Sequence, residues 1–470
     1  MSDPTWISIL PPVLAIVLAI ATRQVYLSLA GGIWMGWTIL EGWQPLSGLG
    51  ASIDATVGVL GEAGDAKVIL FTLVIGALIA TVEASGGVRG FVSWLEENEW
   101  VTTAKRSQLL AWGTGVVIFI ESNITVLVAG SVARPLFDRF RVSREKLAYI
   151  IDSTSAPICI LIPMNAWGAY NLGILEGLGV ENALGVFLQS ILFNFYALAA
   201  VALVLVVILT GLDVGPMKAA EERTRKGELL WPDATPMIDE EVLSPTPDDS
   251  VRPLARNMFL PIASMVLFMP MGLLITGNGD LTAGSGSTSV LWAVMVGLAV
   301  AWVLLLAQRA FSVDELVKVA LKGAGALVPL ALILLLALAL GDVAQALGTG
   351  IYVAQVTAGQ MPNFVFLPLI FLVSGVIAFS TGTSWGTFAI MLPIAVPAAA
   401  TLALPLPPFV AASLAGGIFG DHCSPISDTT IISSMAAATD HIDHVRTQLP
   451  YALAGGTVAT VAFALLGASL

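Results

Sequence analysis

Long apolar runs recur along the whole chain and set its pattern of elements. About 20 consecutive apolar residues are needed to cross a bilayer as a helix. Continuous runs of this kind exclude an outer-membrane barrel, whose strands alternate over short segments. We therefore predict an all-α polytopic membrane protein. Ten crossings are predicted, near 6–22, 25–43, 66–84, 147–170, 183–211, 257–276, 288–308, 323–341, 409–435 and 450–468.

Two further apolar segments, 108–137 and 364–397, are too long for one crossing and contain small polar residues at their centres. The interruptions are ESNIT at 121–125 and STGTS at 380–384. Non-helical backbone at membrane depth is stable only against protein or water. Both segments are therefore predicted to be re-entrant hairpins. A pair of short crossings, or one long tilted helix, is the alternative for each.

The basic residues favour this layout. With both hairpins returning to the side from which they enter, every lysine and arginine except Lys67 falls on one side. Loops on the inner side of a membrane are enriched in these residues. The predicted location is the cytoplasmic (inner) membrane, with the N- and C-termini outside. No cleavable signal peptide is expected, because the start of the chain lacks a basic segment.

Short motifs recur between the two halves of the chain. GVVIF at 115–119 returns as GVIAF at 375–379, just ahead of each hairpin interruption. Each half holds five crossings and one hairpin, so the second half must enter from the opposite face. This arrangement is an inverted-topology repeat, which is common in secondary transporters. The predicted domains are a first repeat at 1–211, a cytoplasmic and mostly irregular linker at 212–256, and a second repeat at 257–470.

Composition agrees with a membrane protein. Charged residues make up 11% of the chain and the mean hydropathy is +0.88, whereas soluble domains carry about 25% charged residues. Soluble enzymes and disordered proteins are therefore excluded. The net charge of −13 comes without a basic patch, so no nucleic-acid partner is expected. No phosphate-binding lysine loop is present, so no cofactor is expected beyond coupling ions. Cys159 and Cys423 are predicted to be buried free thiols.

Acidic side chains at membrane depth indicate candidate chemistry, because a charge there costs about 2.5–3.5 kcal/mol on insertion scales. Glu83 and Asp342 lie at the ends of crossings and are expected to be interfacial. A buried carboxyl group that binds a proton and a cation by turns is the simplest device for exchanging them. The acids at the predicted helix interruptions are Glu121, Asp152, Asp421 and Asp428.

Neutral oxygen donors surround the same interruptions. Na⁺ prefers oxygen ligands of this kind. Capping of the half-helices is an equally good explanation for each hydroxyl group. The predicted ligands at the hairpin tips and breaks are Ser122, Asn123, Thr125, Ser153, Thr154, Ser155, Thr381, Thr383, Ser384, Ser424, Ser427 and Thr429.

The three histidines lie close together in the sequence. His422 follows Asp421 and is a predicted proton-binding group, with a neutral ring bonded to a backbone carbonyl as the alternative. His441 and His444 resemble a metal cluster by composition. A solvated cap at the end of a helix explains them more simply.

Several blocks resemble the NhaC-type sodium/proton antiporter family. They are GDHCSPISDTT at 420–430 with DHIDHV at 440–445 and QLPY at 448–451, SREKLAY at 143–149 with DST at 152–154, and STGTSWGT at 380–387. The resemblance extends over nearly the whole chain outside the linker. It implies the wider ion-transporter superfamily, with a hairpin-containing transport domain, a scaffold domain and frequent homodimers.

Members of that family exchange Na⁺ for H⁺, or couple both ions to organic solutes such as malate and lactate. Many carry two adjacent aspartates at the first hairpin tip, where this chain has Glu121 and Ser122. The replacement changes the charge of the site and strengthens the hypothesis of an organic solute.

Two hypotheses of function follow. The first is Na⁺/H⁺ exchange by alternating access, with Glu121, Asp152 and Asp421 as the ionisable core. The second is a Na⁺- or H⁺-coupled carrier of a small organic acid or amino acid, with a pocket lined by Asn165, Trp167, Tyr170 and Asn171. An intramembrane hydrolase using His422 has less support, because no nucleophile elbow is present. A passive channel is disfavoured by the predicted inverted repeats.

Overall fold

The computed structural model describes residues 4–22, 24–87, 90, 101–119, 122–163, 165–236, 253–279, 284–349, 351–352, 355 and 362–470. Within these ranges the regular elements are helices, and no strand occurs. Among the described residues, eight helices are long and apolar enough to cross a membrane, or nine if one bent pair forms a single span. The predicted all-α polytopic membrane fold is confirmed.

The chain begins with a short 3₁₀ helix and four α-helices. The predicted runs at 6–22, 25–43 and 66–84 correspond to α1, α2 and α4. Helix α3 was not predicted as an element, and it turns a stripe of apolar side chains outward, as a lipid-facing helix does. The bounds are Trp6–Ile9 for the 3₁₀ helix, then α1 (Leu10–Thr22), α2 (Val25–Leu40), α3 (Pro45–Val59) and α4 (Ala63–Ala84).

The rest of the first half is built from shorter helices. Helices α5 and α6 pack against each other and meet at the predicted first interruption. The predicted crossing at 147–170 is broken twice, and the one at 183–211 is broken where Asn194 caps α11. The bounds are α5 (Ala104–Val117), α6 (Ser122–Arg139), α7 (Arg144–Ser153), α8 (Ala156–Leu161), α9 (Ala166–Gly177), α10 (Ala183–Leu192) and α11 (Phe195–Thr210).

The linker is more ordered than the sequence indicated. Helix α12 (Gly215–Arg225) lies inside the segment predicted to be mostly irregular, and the sequence did not predict this helix. The physical reason is tertiary: Arg223 pairs with Glu145 on α7 at 2.7 Å, and both side chains are buried. Residues 237–252 lie outside the described part of the chain.

The second half repeats the use of long spans followed by broken helices. The predicted run at 323–341 covers the junction between α15 and α16. A capping box at Ser312 begins α15. The predicted run at 409–435 is broken between α19 and α20. The bounds are α13 (Arg256–Thr276), α14 (Gly286–Ala307), α15 (Val313–Ala326), α16 (Val328–Ala346), α17 (Asn363–Thr381), α18 (Ser384–Thr401), α19 (Leu406–Cys423), α20 (Asp428–Ala437) and α21 (His441–Ser469).

Helices α17 and α18 meet at Gly382, the predicted second interruption, which takes a left-handed φ of +68°. Each of the two helices is by itself long enough to count as a candidate span. Re-entrant hairpins, inverted repeats and the predicted domain boundaries therefore stay predictions.

Glycines bring α19 against α17. Gly416 and Gly420 lie one turn apart on α19, and a Cβ at either position would overlap a carbonyl oxygen of α17, from Phe371 and Gly375 respectively. Small residues four apart allow this close approach between membrane helices. The contact holds the end of α19, where Asp421 lies, beside the end of α17.

Candidate functional site

The helix breaks of the two halves meet inside the protein. Ser153, the last residue of α7, lies with its Oγ 3.1 Å from Nε2 of His422 near the end of α19. Thr430, in the first turn of α20, donates from Oγ1 to Oδ2 of Asp152 at 3.2 Å. All four side chains are buried. Residues that are far apart in the sequence therefore form one polar cluster.

Local hydrogen bonds explain why the helices break here. The backbone N–H groups of Ser155 and Ser424 donate to the carbonyl oxygens of Asp152 and Asp421 at 3.2 and 3.0 Å respectively. Pro157 and Pro425 follow, and proline cannot continue a helical hydrogen-bond ladder. The two breaks thus share the same local chemistry.

Backbone or side chains at each predicted interruption contact a helix break of the same half. At the first tip, Asn165 donates from Nδ2 to the carbonyl oxygen of Phe119 at 2.9 Å. At the second, Ser384 donates from Oγ to Oδ2 of Asp421 at 3.1 Å, and Ser424 donates to the carbonyl oxygen of Phe379 at 2.7 Å. These contacts join the predicted interruptions to the helix breaks, whereas the hairpins themselves stay a prediction.

Several predicted ligand hydroxyls satisfy backbone groups. Thr154, Ser155, Thr381 and Ser424 donate to carbonyl oxygens, as Thr125 does to Ile118. Ser427 caps α20 and lies 3.0 Å from the hydroxyl of Thr429. The capping explanation fits these groups, whereas the hydroxyls of Ser153 and Ser384 face ionisable side chains. Thr383 contributes its carbonyl oxygen to Thr387, and Ser122 is buried at the start of α6.

Three of the predicted site residues are not fully described. Glu121 lies outside the described residues, and the side chains of Asn123 and Asp428 do as well. Glu83 and Asp342 are exposed on the outer surface of the helix bundle and take no part in the cluster.

Asp152 is at the centre of the cluster. Its Oδ2 accepts hydrogen bonds from Nε2 of Gln448 at 2.7 Å and from Thr430. The ring nitrogens Nε2 of His422 and His444 lie 3.7 and 4.0 Å from the same oxygen. Its Oδ1 is buried and has no hydrogen-bond partner among the described residues. An unsatisfied buried carboxylate oxygen is suited to bind a proton or a cation.

His422 has two side-chain partners rather than the backbone carbonyl considered from the sequence. The hydroxyl of Tyr196 lies 2.7 Å from Nδ1, and Ser153 lies at Nε2. In a hydrolytic triad the serine and the acid occupy opposite nitrogens of the ring. Here Ser153 and Asp152 both lie at Nε2, so these residues do not form a triad.

His444 is fully buried, so the solvated-cap explanation is wrong for this residue. Its Nδ1 lies 2.9 Å from Oγ of Ser434 and its Nε2 lies 2.9 Å from Oε1 of Gln448. His441 is partly exposed, and it lies 3.0 Å from the same serine. Within the described ranges no group of three His, Cys, Asp or Glu side chains is arranged to hold a metal ion.

Sequence reasoning missed four members of the cluster: Tyr196, Thr430, Ser434 and Gln448. One local signal was available, because Gln448 lies one turn after His444 and just before the apolar part of α21. Polar side chains at that depth are costly and therefore informative. The other three are ordinary polar residues whose position only packing reveals.

An aromatic group lies beside the second hairpin tip. The rings of Trp167 and Trp385 are 4.5 Å apart and those of Tyr170 and Trp385 are 4.8 Å apart. Trp167 Nε1 and Asn171 Oδ1 are buried without a hydrogen-bond partner among the described residues. Asn165, the fourth residue of the predicted pocket, instead holds the first tip.

Membrane-spanning helices that break around buried polar groups are typical of secondary transporters, and this is the class that the fold and the site indicate. The sequence model described as the Na⁺/H⁺ antiporter family matches residues 158–468. The chain belongs to the Na⁺/H⁺ antiporter family.

Three further proteins are similar to this chain. A Haemophilus influenzae protein named only as uncharacterized is 35% identical over 99% of this chain and 91% of its own length. The arginine/ornithine antiporter ArcD of Halobacterium salinarum is 30% identical over 47% of this chain and 43% of its own length. The crystal structure of the YdaH transporter of Alcanivorax borkumensis matches with a TM-score of 0.59, covering 97% of this chain and 98% of that one at 12% identity. The last similarity concerns the fold alone.

Proposed function

We propose that the protein exchanges Na⁺ for H⁺ by alternating access, and that Asp152 binds the two ions by turns. One observation carries the proposal: Oδ1 of Asp152 is buried and has no hydrogen-bond partner among the described residues. In the described part of the chain, no lysine or arginine nitrogen lies within 4.0 Å of the Asp152 carboxylate. Its charge is therefore left for a mobile ion to neutralise.

Competition for one carboxylate couples the two ions. Either a proton or Na⁺ removes the cost of the buried charge, which is too large to leave uncompensated. Because both use the same oxygen atoms, binding of one releases the other. Asp421 is a second buried carboxylate, held by Ser384 from the second hairpin, and it belongs to the same proposed core.

Everted membrane vesicles with a pH-sensitive dye test the exchange. Added Na⁺ or Li⁺ should dissipate an imposed pH gradient in vesicles that contain the wild-type protein. Asp152→Asn should reduce this response to background, because an amide cannot alternate between a proton and a cation. Asp54→Asn, an exposed acid on α3, is the matched control and should respond like the wild type. A gradient insensitive to both cations, or full activity of Asp152→Asn, refutes the proposal.

A second candidate function is coupled exchange of a small amino acid or organic acid. It is favoured by the aromatic group at Trp167, Tyr170 and Trp385, and by the unpaired polar atoms of Trp167 and Asn171 beside it. The similarity to an arginine/ornithine antiporter supports the same idea. A ligand that binds only the folded protein at 100 times its Kd adds about 2.7 kcal/mol of stability. Melting temperatures in Na⁺, Li⁺, arginine, ornithine, malate and lactate separate the two candidates.

The predicted organisation supplies the geometry for alternating access. In this proposal 1–211 and 257–470 are inverted repeats in the inner membrane, and both termini lie outside. The similar hydrogen bonds at the two helix breaks support it. Labelling of single cysteines introduced at each terminus, in intact cells and in everted vesicles, tests the orientation.

A further inference from the structure

A cavity of about 330 Å³ lies where the linker packs against the helix bundle. Its walls come from α5, α7, the turn that joins α6 to α7, the end of α11 and the linker helix α12. Sites that bind small molecules have volumes of about 300–1,000 Å³. Of the residues proposed to bind the exchanged ions, none lines the described walls of this cavity. The cavity is therefore large enough to be a separate binding site.

The buried part of the lining has an excess of negative charge. Nζ of Lys146 lies 2.6 Å from Oδ1 of Asp213 and 3.8 Å from Oε2 of Glu221, and all three side chains are buried. One lysine therefore faces two carboxylates. Arg225 comes no closer than 4.0 Å to Glu221, and its side chain is 66% exposed. Because a buried charge without a close partner is costly, a cationic ligand group is favoured here.

Gln108 adds an unpaired acceptor to the same buried lining. Its Nε2 donates to the carbonyl oxygen of Ala104 at 3.2 Å. A carbonyl oxygen only accepts, so this bond fixes the orientation of the amide. Oε1 of Gln108 is buried and has no hydrogen-bond partner among the described residues. The buried lining therefore suits a group that is both a cation and a donor, such as a primary ammonium.

The exposed part of the lining is positively charged. It contains Arg141 and Arg225. Nη1 of Arg141 lies 3.4 Å from the carbonyl oxygen of Arg225, and no carboxylate oxygen of the described ranges lies within 4.0 Å of its guanidinium group. Arginine binds phosphate through two parallel hydrogen bonds. A phosphate group is therefore favoured at this exposed part.

The cavity adjoins a surface that faces lipid. Phe140, Val142 and Ile208 contribute apolar walls. Ile208 lies in the last turn of α11, which belongs to a helix apolar enough to cross a membrane. On the outer face of the same helix, Val206 and Leu209 are 45% and 49% exposed. Basic pockets between membrane helices bind phospholipid headgroups, so a membrane lipid is a suitable source of the phosphate.

We infer that this cavity binds the headgroup of a phosphatidylethanolamine lipid. The phosphate lies at Arg141 and Arg225, and the ammonium group donates to Oε1 of Gln108 next to the two carboxylates. Both ends of the zwitterionic headgroup then meet the opposite charge. The bound lipid joins α12 to α5 and α7, and so helps to hold the linker on the helix bundle. The lipid site is independent of which ions the protein exchanges.

Native mass spectrometry of the full-length protein in a neutral detergent tests the inference. Phosphatidylethanolamine and phosphatidylcholine are titrated as a matched pair, because methylation of the choline nitrogen removes every N–H donor and keeps the charges. We expect phosphatidylethanolamine to bind about tenfold more tightly, the effect of one hydrogen bond that involves a charged group. Gln108→Leu should remove most of this preference, since it removes the acceptor.

Two further variants test the phosphate end and the cavity itself. Arg141→Gln and Arg225→Gln should each weaken binding of both lipids about fivefold. Arg106→Gln is the matched control, because this exposed arginine on α5 does not line the cavity. Ala104→Trp keeps every charge but fills the cavity, and it should abolish the preference for phosphatidylethanolamine. Melting temperatures measured without lipid check that each variant is folded.

Equal affinity for the two lipids overturns the inference. So does a preference that Gln108→Leu or Ala104→Trp leaves unchanged, or binding that the arginine variants alter no more than Arg106→Gln does. Soluble phosphoethanolamine and inorganic phosphate are added as competitors to identify the source of the phosphate. If either displaces the lipid at an equal concentration, the cavity is a site for a soluble anion and the lipid assignment is wrong. Binding is measured without transport, so these results do not depend on the proposed exchange function.

Discussion

The ion pair of Glu145 and Arg223 fastens the linker helix α12 to α7, the helix that ends beside Asp152. The guanidinium nitrogens lie 2.7 and 3.0 Å from the two carboxylate oxygens of Glu145, which is fully buried. Arg223 also donates to the carbonyl oxygens of Glu228 and Leu229 at 3.1 and 2.9 Å. Replacing Arg223 by methionine removes all of these bonds and leaves the charge of Glu145 buried.

The expected cost follows from these contacts. Removing one partner of a buried ion pair costs about 3–5 kcal/mol, mainly because the other charge is stranded. In the double variant Glu145→Leu with Arg223→Met no charge is stranded. The two lost carbonyl bonds then cost about 0.5–1.5 kcal/mol each. The double variant should therefore be more stable than Arg223→Met alone.

The control is an ion pair of similar length on the surface. Lys318 and Asp314 are 2.6 Å apart, with side-chain exposures of 72% and 75%. Lys318→Met should cost less than about 1 kcal/mol, because exposed pairs are screened by water. Thermal unfolding of the purified protein is the assay, and Arg223→Met should lower Tm by about 5 °C or more at roughly 2 °C per kcal/mol. Equal shifts for Arg223→Met and Lys318→Met, or a double variant less stable than the single one, would refute this reasoning.

Two other substitutions test the packing and the linker contact. Gly420→Ala should lower the free energy of unfolding by about 1–3 kcal/mol, because its Cβ forces α19 away from the carbonyl oxygen of Gly375. Gly325 faces open space, so Gly325→Ala is the control and should be neutral or stabilising. Similar melting temperatures for the two variants would contradict the close contact. At Asp440, burial raises the pKa, but hydrogen bonds from Thr235, Asp443 and Ile442 outweigh it, so the pKa lies below its ordinary value. A lowered folded-state pKa stabilises the protein above about pH 4 and loses this effect below it. Asp440→Ala should therefore lower the free energy of unfolding by about 1 kcal/mol at neutral pH. The difference in Tm from the wild type should shrink below about pH 4. A difference that does not change with pH would argue against the ionised cap.

The hydrophobic pattern by itself determined most of the helices. The runs at 66–84, 257–276 and 288–308 correspond to α4, α13 and α14 within a few residues. Polar residues inside apolar runs likewise indicated where helices break, as at 380–384. Both signals are local, because a span must be long enough and a polar interruption is costly in a bilayer. Helices α3, α12 and α15 were not predicted as separate elements, because none of them forms a long apolar run of its own.

The same distinction applies to the site. A charge at membrane depth is visible in the sequence, so Asp152 and Asp421 were predicted from it, and His422 from its place beside Asp421. The sequence did not indicate that Gln448 would bridge Asp152 and His444, or that Ser153 would reach His422 in the other half of the chain. Only tertiary packing decided which hydroxyls cap their own helix and which carboxylate oxygen lacks a partner. These outcomes depend on the relative placement of helices from both halves, which the local pattern of residues does not contain.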